Sequence, residues 1–182
     1  AIRDSSFDCL GPWLSDMRVG NIHERTLDAP PKKVAPLIDG LASANDHLWP
    51  VDRWPAMQLD LPLAVGATGG HGPIRYSVES YTPGHSIQFR FTEPKGFVGV
   101  HRFEIEPTAD GKATLRHVIE MQAAGLAWLA WAIAIRPLHD ALLEDALDRA
   151  EFFVGKQLPK REWSAWVKLV RGIMRRRRNR NA

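Results

Sequence analysis

The chain has 182 residues, of which 45% are hydrophobic and 25% charged, a balance typical of a folded protein with one core. Its single cysteine, Cys9, excludes an internal disulfide and favours a reducing compartment, and Ala1–Leu10 lacks the apolar run of a secretory signal. The net charge of +3 is unevenly divided: ten of the 24 basic residues but one of the 21 acidic residues follow residue 155, so the tail carries +9 and the rest −6.

The first third of the chain predicts a strand, a helix and a short strand. Val19–Leu27 reads as the strand, and Pro31–Leu41 reads as the helix, with Pro36 close enough to its start to be tolerated. Met57–Leu61 is the short strand. Gly66–Pro73 contains four glycines and is expected to be a loop.

Strict alternation of apolar side chains from Ile74 to Met121 predicts antiparallel strands with one covered face. Pro83-Gly84 is a turn dipeptide, and a loop of two or four residues there places Val78 opposite Phe89 and Tyr76 opposite Phe91.

The second hairpin tests the pairing more strictly. A two-residue loop at Asp110-Gly111 sets charged side chains on the apolar face, whereas a three-residue loop, Ala109–Gly111, places Phe103 opposite His117. On the wet face, the same loop places Glu104 opposite Arg116, a favourable cross-strand pair of opposite charges. The three-residue loop is therefore predicted.

The C-terminal third is helical in pattern. We expect a long helix over Gly125–Val154, kinked or restarted at Pro137, and an amphipathic helix from Lys160 to about Arg178. The most apolar stretch, 123–135, has thirteen residues, fewer than the roughly 20 that span a bilayer, so no transmembrane segment is expected. The fold class is α+β, with a long helix packed on an antiparallel sheet.

Several motifs accompany this order of elements. The first strand ends Leu27-Asp28-Ala29-Pro30, the next helix contains Lys32–Ile38, and Gly69–Tyr76 and Arg136–Asp140 read GGHGPIRY and RPLHD. Further positions that match are Gly84, Leu143, Leu147 and Ala150. With these motifs the chain resembles a bacterial branch of the START-like or SRPBCC superfamily, which includes Bet v 1-type and polyketide cyclase/dehydrase-like proteins.

The resemblance implies a helix-grip fold, in which a curved antiparallel sheet of about six to seven strands wraps around a long C-terminal helix and leaves a cavity between them. It covers residues 19–155, with 1–18 as an N-terminal extension and 156–182 as a basic amphipathic tail. The superfamily includes carriers, receptors and enzymes, so the resemblance does not decide the chemistry. The Cys and His set of a Rieske oxygenase component is missing from the sequence.

His101 and His117 are the candidate catalytic residues, because both fall on the covered face as diagonal neighbours, roughly 7–8 Å apart. Two imidazoles there can flank a substrate carbonyl or share a water, and one can act as a general base. The alternative is that both only line the interior. A metal site needs a third ligand, which this face does not supply, so we expect no metal and no other cofactor.

The other candidate ligand-binding residues surround these histidines or the cavity mouth. Tyr76 can bond a ligand oxygen or serve as a core aromatic, His71 lies in the glycine-rich segment at the mouth, and Trp49 and Trp54 form a lid or cap the core. The remaining lining residues are Phe89, Phe91 and Phe103. Nucleophile, phosphate-loop and dinucleotide motifs are missing from the sequence.

The tail suggests a membrane or partner surface. A basic helix with tryptophan on its apolar side is typical of peripheral membrane anchors, although packing on its own domain or in a homodimer would use the same stripe. Sequence-specific binding of nucleic acid is not expected. The residues concerned are Trp163, Trp166, Arg175, Arg176, Arg177 and Arg178.

The leading functional hypothesis is binding of a small, largely apolar ligand, such as an aromatic, lipid or polyketide-like molecule, in the cavity between sheet and helix. One alternative is a cyclase or dehydratase, a metal-free lyase or isomerase that uses His101 and His117 as acid and base. The other is a lipid carrier that the tail brings to an anionic membrane. We expect a cytoplasmic protein, at the membrane surface in the last case.

Overall fold

Seven antiparallel strands form one sheet, in the order β1-β7-β6-β5-β4-β3-β2. The structure is a computed structural model that describes residues 17–157, 159 and 161–180, so Cys9 and Lys160 lie outside it. The strands are β1 Met17–Leu27, β2 Gln58–Leu59, β3 Thr68–His71, β4 Ile74–Thr82, β5 Ser86–Glu93, β6 Phe97–Pro107 and β7 Ala113–Ala123. The helices are α1 Pro31–Val34, α2 Pro36–Asp39, α3 Gly125–Ala130, a π-helical segment Trp131–Ile135, α4 Arg136–Phe153 and α5 Ala165–Arg180.

The expected helix-grip fold is confirmed, because the curved sheet packs against the long helix α4. One face of α4 is buried, and it meets the apolar alternate residues of the central strands. The buried residues of α4 that join this core are Leu142, Leu143, Ala146, Leu147 and Ala150.

The β6–β7 hairpin has the predicted register. Phe103 pairs with His117 and Glu104 with Arg116. Gly111 has a φ of +80°, the left-handed conformation that the three-residue loop requires.

The β4–β5 hairpin pairs Val78 with Phe89 as predicted, but through a different loop. Thr82 pairs with Ser86, so the loop has three residues rather than two or four. The register then shifts between Val78 and Ser80, where Glu79 is an extra residue in a β-bulge. The bulge restores the apolar alternation that the odd loop would have reversed.

We predicted a loop for the glycine-rich segment, but the segment contains strand β3. Its glycines allow strands to approach closely: a Cβ at Gly69 would lie 1.9 Å from the carbonyl oxygen of Gln58, and one at Gly70 would lie 2.0 Å from that of Ile74. The segment therefore joins the sheet because it lacks side chains there.

The helix expected over Pro31–Leu41 is divided into α1 and α2. Pro36 has no N–H to continue the helix, and its ring clashes with the preceding turn, so the break falls at Ala35. Pro137 is the opposite case. α4 begins beside Pro137 as predicted, but the chain stays helical from the π-helical segment into α4, so the helix changes type there without a break. The carbonyl of Ile133, four residues before Pro137, accepts a bond from the indole N–H of Trp166 instead of a helical N–H.

By length and composition, the continuous helical stretch Gly125–Phe153 is long and apolar enough to cross a membrane, and it extends well beyond the thirteen residues considered above. Only 17% of its most apolar 18-residue part is buried. Its C-terminal part nevertheless packs on the sheet. There the guanidinium of Arg25 on β1 forms ion pairs with the carboxylates of Glu144, at 2.9 Å, and Asp148, at 3.3 Å.

Candidate functional site

Two buried histidines lie at the centre of the covered face of the sheet. His101 on β6 and His117 on β7 are 4% and 2% exposed. Their diagonal placement agrees with the predicted register, but the rings are closer than expected, with Nδ1 of His101 3.3 Å from Nε2 of His117. The two imidazoles share a hydrogen bond instead of standing apart on either side of a substrate.

Aromatic rings enclose this pair. Phe89 and Phe91 stack on His101, each with ring centroids 4.9 Å apart, and the ring of Tyr76 meets His101 edge-on at 4.8 Å. Phe103 contacts His117 edge-on at 4.6 Å. The strand alternation thus brings all four predicted aromatic residues around the two histidines.

Burial keeps the pair neutral. Desolvation holds the pKa of His101 and of His117 well below the ordinary 6.5, and neighbouring histidines act in the same direction. A neutral imidazole has one N–H donor and one acceptor nitrogen. Since one ring donates to the other, the pair retains one donor and one acceptor, whichever tautomer is present.

Both remaining ring nitrogens are buried without a hydrogen-bond partner among the described residues. They are Nε2 of His101 and Nδ1 of His117. Buried polar groups in native proteins are nearly always bonded, and each exception needs an explanation such as a ligand or a water. The pair therefore offers a donor and an acceptor to something small.

His71 and Trp49 extend the cluster towards β3. Nδ1 of His71 lies 3.1 Å from Oη of Tyr76, and the indole ring of Trp49 lies 4.7 Å from the His71 ring. Burial lowers the pKa of His71 to about 3 and raises that of Tyr76, so both side chains are neutral. His71 is the last residue of β3 and is partly buried.

Two further histidines, which lie outside the predicted site, extend the cluster. His139 on α4 lies 5.1 Å from His117 between ring centroids, and His23 on β1 lies 5.9 Å from His139. His23 also bonds Asp140 and Glu144 at 3.1 and 3.0 Å. Five histidines consequently form a line across the protein from β3 to the edge strand β1.

A sequence signal for His23 did exist. Asn21, His23 and Arg25 alternate between the buried ends Val19 and Leu27, so all five side chains share one face of β1. Polar residues at three successive inward positions indicate a polar contact across the interior.

Trp54 and Trp163 lie apart from the histidines. Their indole N–H groups both donate to Oδ2 of Asp145 on α4, at 2.6 and 3.0 Å, and the two rings are 5.2 Å apart. Trp166 is exposed, although its N–H donates to the carbonyl of Ile133 at 2.9 Å. Arg176 is exposed, while the side chains of Arg175, Arg177 and Arg178 are outside the described part.

The pocket found in the structure does not lie where the cavity was predicted. Around His101 and His117 the rings contact one another, so side chains fill the centre of the predicted cavity. A pocket of about 510 Å³ lies elsewhere, between α4 and the segment before α5. Charged side chains line much of it: Asp52, Arg53, Asp145, Asp148, Arg149 and Arg161.

Comparisons with known proteins extend to fold only. Neither a family model nor a curated protein sequence matches the chain. The fold is shared. Norcoclaurine synthase from Thalictrum flavum, in complex with dopamine and hydroxybenzaldehyde, aligns over 80% of this chain and 91% of its own at a TM-score of 0.59 and 14% identity.

Two bacterial structures are similar in the same way. CalU16 from Micromonospora echinospora aligns over 89% of this chain and 93% of its own, with a TM-score of 0.52 and 12% identity. A Thermobifida fusca protein aligns over 78% and 99%, at 0.59 and 14%. At these identities the likeness establishes the fold and no activity.

Proposed function

We propose that this protein is a START-like superfamily member that binds a small aromatic molecule bearing a hydroxyl or carbonyl group, at the His101–His117 pair. The observation that carries the proposal is the donor and the acceptor left free on two buried, neutral imidazoles. The bonded nitrogens are 3.3 Å apart and the ring centroids 5.5 Å apart, so the two free nitrogens face away from each other and a ligand hydroxyl or carbonyl bonds one of them.

The surrounding side chains favour an aromatic body for this ligand. Tyr76, Phe89, Phe91 and Phe103 present ring faces and edges around the pair, and flat rings fill such spaces with favourable offset or edge-on contacts. The norcoclaurine synthase complex, with its two small aromatic molecules, supports the suitability of this fold for such ligands.

Entry requires movement, because the rings now fill the space. The π-helical segment is suited to this movement: Trp131 is its buried residue, and it contacts Phe97 and His139 with ring centroids 6.1 and 5.9 Å away. No residue of the adjoining α3 is buried. Withdrawal of Trp131 would open a path to His139 and His117, and π-helical turns are frequent at functional sites.

The direct test is native mass spectrometry of the purified protein for a copurified molecule, followed by binding of 2-naphthol and naphthalene as matched probes. Wild type should bind 2-naphthol about tenfold more tightly, since one hydrogen bond contributes about 0.5–1.5 kcal/mol. The double variant His101→Leu/His117→Leu should fold, because it replaces both bonded partners by apolar groups, and should lose this preference.

Exposed His85→Leu is the control and should bind like wild type. Equal affinities of both probes for wild type, or an unchanged preference in the double variant, would reject the site.

The same pair can perform acid–base chemistry on a ketone, which favours the cyclase or dehydratase alternative. The imidazole with the free acceptor nitrogen removes a proton from the carbon next to the carbonyl, so a C–H bond breaks, an N–H bond forms and an enolate results. The 3.3 Å hydrogen bond lets the second ring share the positive charge, and return of a solvent-exchanged proton to the carbon restores both neutral rings. Deuterium exchange into 2-tetralone should then require both histidines; exchange by the double variant would reject this role.

As a second function, we propose that the protein docks on anionic membranes through an apolar ridge that joins α3, the π-helical segment and α5. The bond from Trp166 to the Ile133 carbonyl places the start of α5 against the π-helical segment. The exposed side chains of the ridge are Leu126, Trp128, Leu129, Ile133, Trp166, Leu169, Ile173 and Met174.

Charge supports a membrane as the occupant over a second copy of the chain. Arg136 follows the π-helical segment and Arg176 lies on α5, and both are exposed. The tail carries +9, which repels the tail of another copy but attracts an anionic leaflet by about 1 kcal/mol per basic residue. Tryptophan and aliphatic side chains beside arginine are typical of interfacial helices.

Vesicle sedimentation tests this second function. Full-length protein should bind vesicles with phosphatidylglycerol at low salt and dissociate near 1 M salt, where screening shortens to about 3 Å. Leu126→Ser/Leu129→Ser should weaken binding, whereas Ile22→Ser, an equally exposed change on the outer face of β1, should not. Binding that both changes reduce alike, or a concentration-dependent dimer without vesicle binding, would contradict it.

A further inference from the structure

We propose that His23, His139 and Asp140 form a binding site for a divalent transition-metal ion of the zinc class, between β1 and α4. This site is separate from the ligand site proposed at His101 and His117. The expectation of no metal concerned the covered face of the sheet around those two histidines, where the sequence supplies no third ligand.

The geometry suits a metal ion. One ligand atom from each of the three residues lies within 4.8 Å of the other two. Nε2 of His23 lies 3.1 Å and Nδ1 of His139 lies 3.8 Å from Oδ1 of Asp140. Bonds of about 2.0–2.1 Å in a tetrahedral arrangement separate ligand atoms by roughly 3.4 Å, so small side-chain shifts suffice.

The atoms behind these ligands are also arranged as in metal sites. Nδ1 of His23 lies 3.0 Å from Oε1 of Glu144, which can fix the tautomer so that Nε2 keeps its lone pair. Nδ2 of Asn21 donates to Oδ1 of Asp140 at 3.0 Å and orients the carboxylate. A histidine held by a carboxylate on its far nitrogen is the common support of a zinc ligand.

Unpartnered polar atoms supply the second, independent observation. Nδ1 of His139 and Oδ1 of Asn21 are both buried without a hydrogen-bond partner among the described residues. Asn21 as a whole is only 8% exposed. A metal ion would bind the histidine nitrogen directly, and its water ligand would donate to the amide oxygen.

The competing explanation is a protonated His23 that forms ion pairs with Asp140 and Glu144. That arrangement accounts for both nitrogens of His23. It leaves Nδ1 of His139 and Oδ1 of Asn21 unbonded, however, and gives His139 no role beside Asp140. One bound metal ion accounts for His23, Asp140, His139 and Asn21 together. Because only the metal gives His139 a role, variants of His139 distinguish the two explanations.

Three protein ligands leave a fourth position open, as in catalytic zinc sites. The ring of His139 lies 5.1 Å from that of His117, so a molecule at the open position would approach the neutral pair. The site nevertheless stands without that function, because its own test measures the metal alone.

The experiment titrates EDTA-treated full-length protein with Zn²⁺ by calorimetry and with Co²⁺ by visible absorption, in a Cys9→Ser background that removes the single thiol. We expect one equivalent of metal, a Co²⁺ spectrum of a four-coordinate site, and a Zn²⁺-dependent rise in Tm. Glu144→Gln should reduce affinity about 10–100-fold, as loss of a supporting carboxylate does.

His139→Ala should abolish the site, and His139→Gln provides a second variant of closer size if the alanine variant is poorly folded. Exposed His85→Ala is the matched control. Absence of stoichiometric binding, or binding that His85→Ala reduces more than either His139 variant, would overturn the proposal. If the wild-type protein gives the expected Co²⁺ absorption but does not bind 2-naphthol, the metal site is supported and only the separate ligand site is rejected.

Discussion

Replacement of Asp145 by alanine should lower the free energy of unfolding by about 3–5 kcal/mol, the effect of leaving a buried ion-pair partner uncompensated. The Asp145 side chain is 2% exposed and lies 2.6 Å from Nη1 of Arg53. It also accepts bonds from the indole N–H groups of Trp54 and Trp163 at 2.6 and 3.0 Å. One substitution thus removes the acceptor of three donors, of which that of Trp54 is buried and those of Arg53 and Trp163 are partly buried.

The same change should loosen α5. The guanidinium of Arg171 lies 4.3 and 4.2 Å from the rings of Trp54 and Trp163, so α5 is held on a tryptophan pair that Asp145 positions. Urea denaturation measures the loss of stability, and hydrogen exchange of residues 165–174 measures the release of the helix.

The control is Asp52→Ala, which removes an exposed carboxylate 3.3 Å from Arg149 and should change stability by about 0.5 kcal/mol or less. Similar losses in the two variants would show that the cluster around Asp145 contributes no more than a surface pair. If hydrogen exchange in α5 is the same in Asp145→Ala as in wild type, the cluster around Asp145 does not hold that helix in place.

Hairpin register was predictable from sequence because it depends on local patterns. The alternation around Phe103 and His117, together with Asp110-Gly111, determined the β6–β7 pairing. The first hairpin was less certain, since the extra residue Glu79 can be accommodated only where the twisted sheet tolerates a bulge. β3 was missed because glycines normally indicate a loop, and their value here arises from close approach to Gln58.

The site was predictable only in part, for the same reason. The inward direction of His101 and His117 follows from alternation within neighbouring strands. The contact with His23 and His139 depends on β1 pairing with β7 and on how α4 lies across the sheet, which are long-range choices. The inward polar residues of β1 indicate a polar contact, but their partners are carboxylates of α4, which the sequence of β1 does not identify.

Acid should unfold this protein with unusual steepness. Burial holds the pKa of His71, His101 and His117 below 6.5, with that of His71 at about 3. The unfolded chain therefore takes up protons that the folded chain refuses, and stability is lost as the pH falls below 6.5. Between pH 6.5 and 5.5 each of these three histidines contributes about 1 kcal/mol, so together they should lower the free energy of unfolding by about 3 kcal/mol. Burial also lowers the pKa of His139, which adds to the loss in the same direction.

Two neighbouring groups do not cancel this loss. The ion pairs of His23 with Asp140 and Glu144 raise its pKa against desolvation, so its stabilising contribution is already complete below pH 6.5. Asp140 has its pKa held far below the usual range by bonds to histidine and Asn21 despite burial, so its contribution is lost only at lower pH. The window from pH 6.5 to about 4.5 therefore reports the neutral histidines.

Denaturation in urea at pH 7.5, 6.5 and 5.5, with EDTA present, measures this dependence. His101→Leu/His117→Leu removes two of these proton uptakes, so its loss between pH 6.5 and 5.5 should be smaller than that of wild type by about 2 kcal/mol. Exposed His85→Leu should retain the wild-type loss. A wild-type stability that is equal at pH 6.5 and 5.5 would mean that the imidazoles can take up protons in the folded state, which requires water or a charged partner beside His101 and His117.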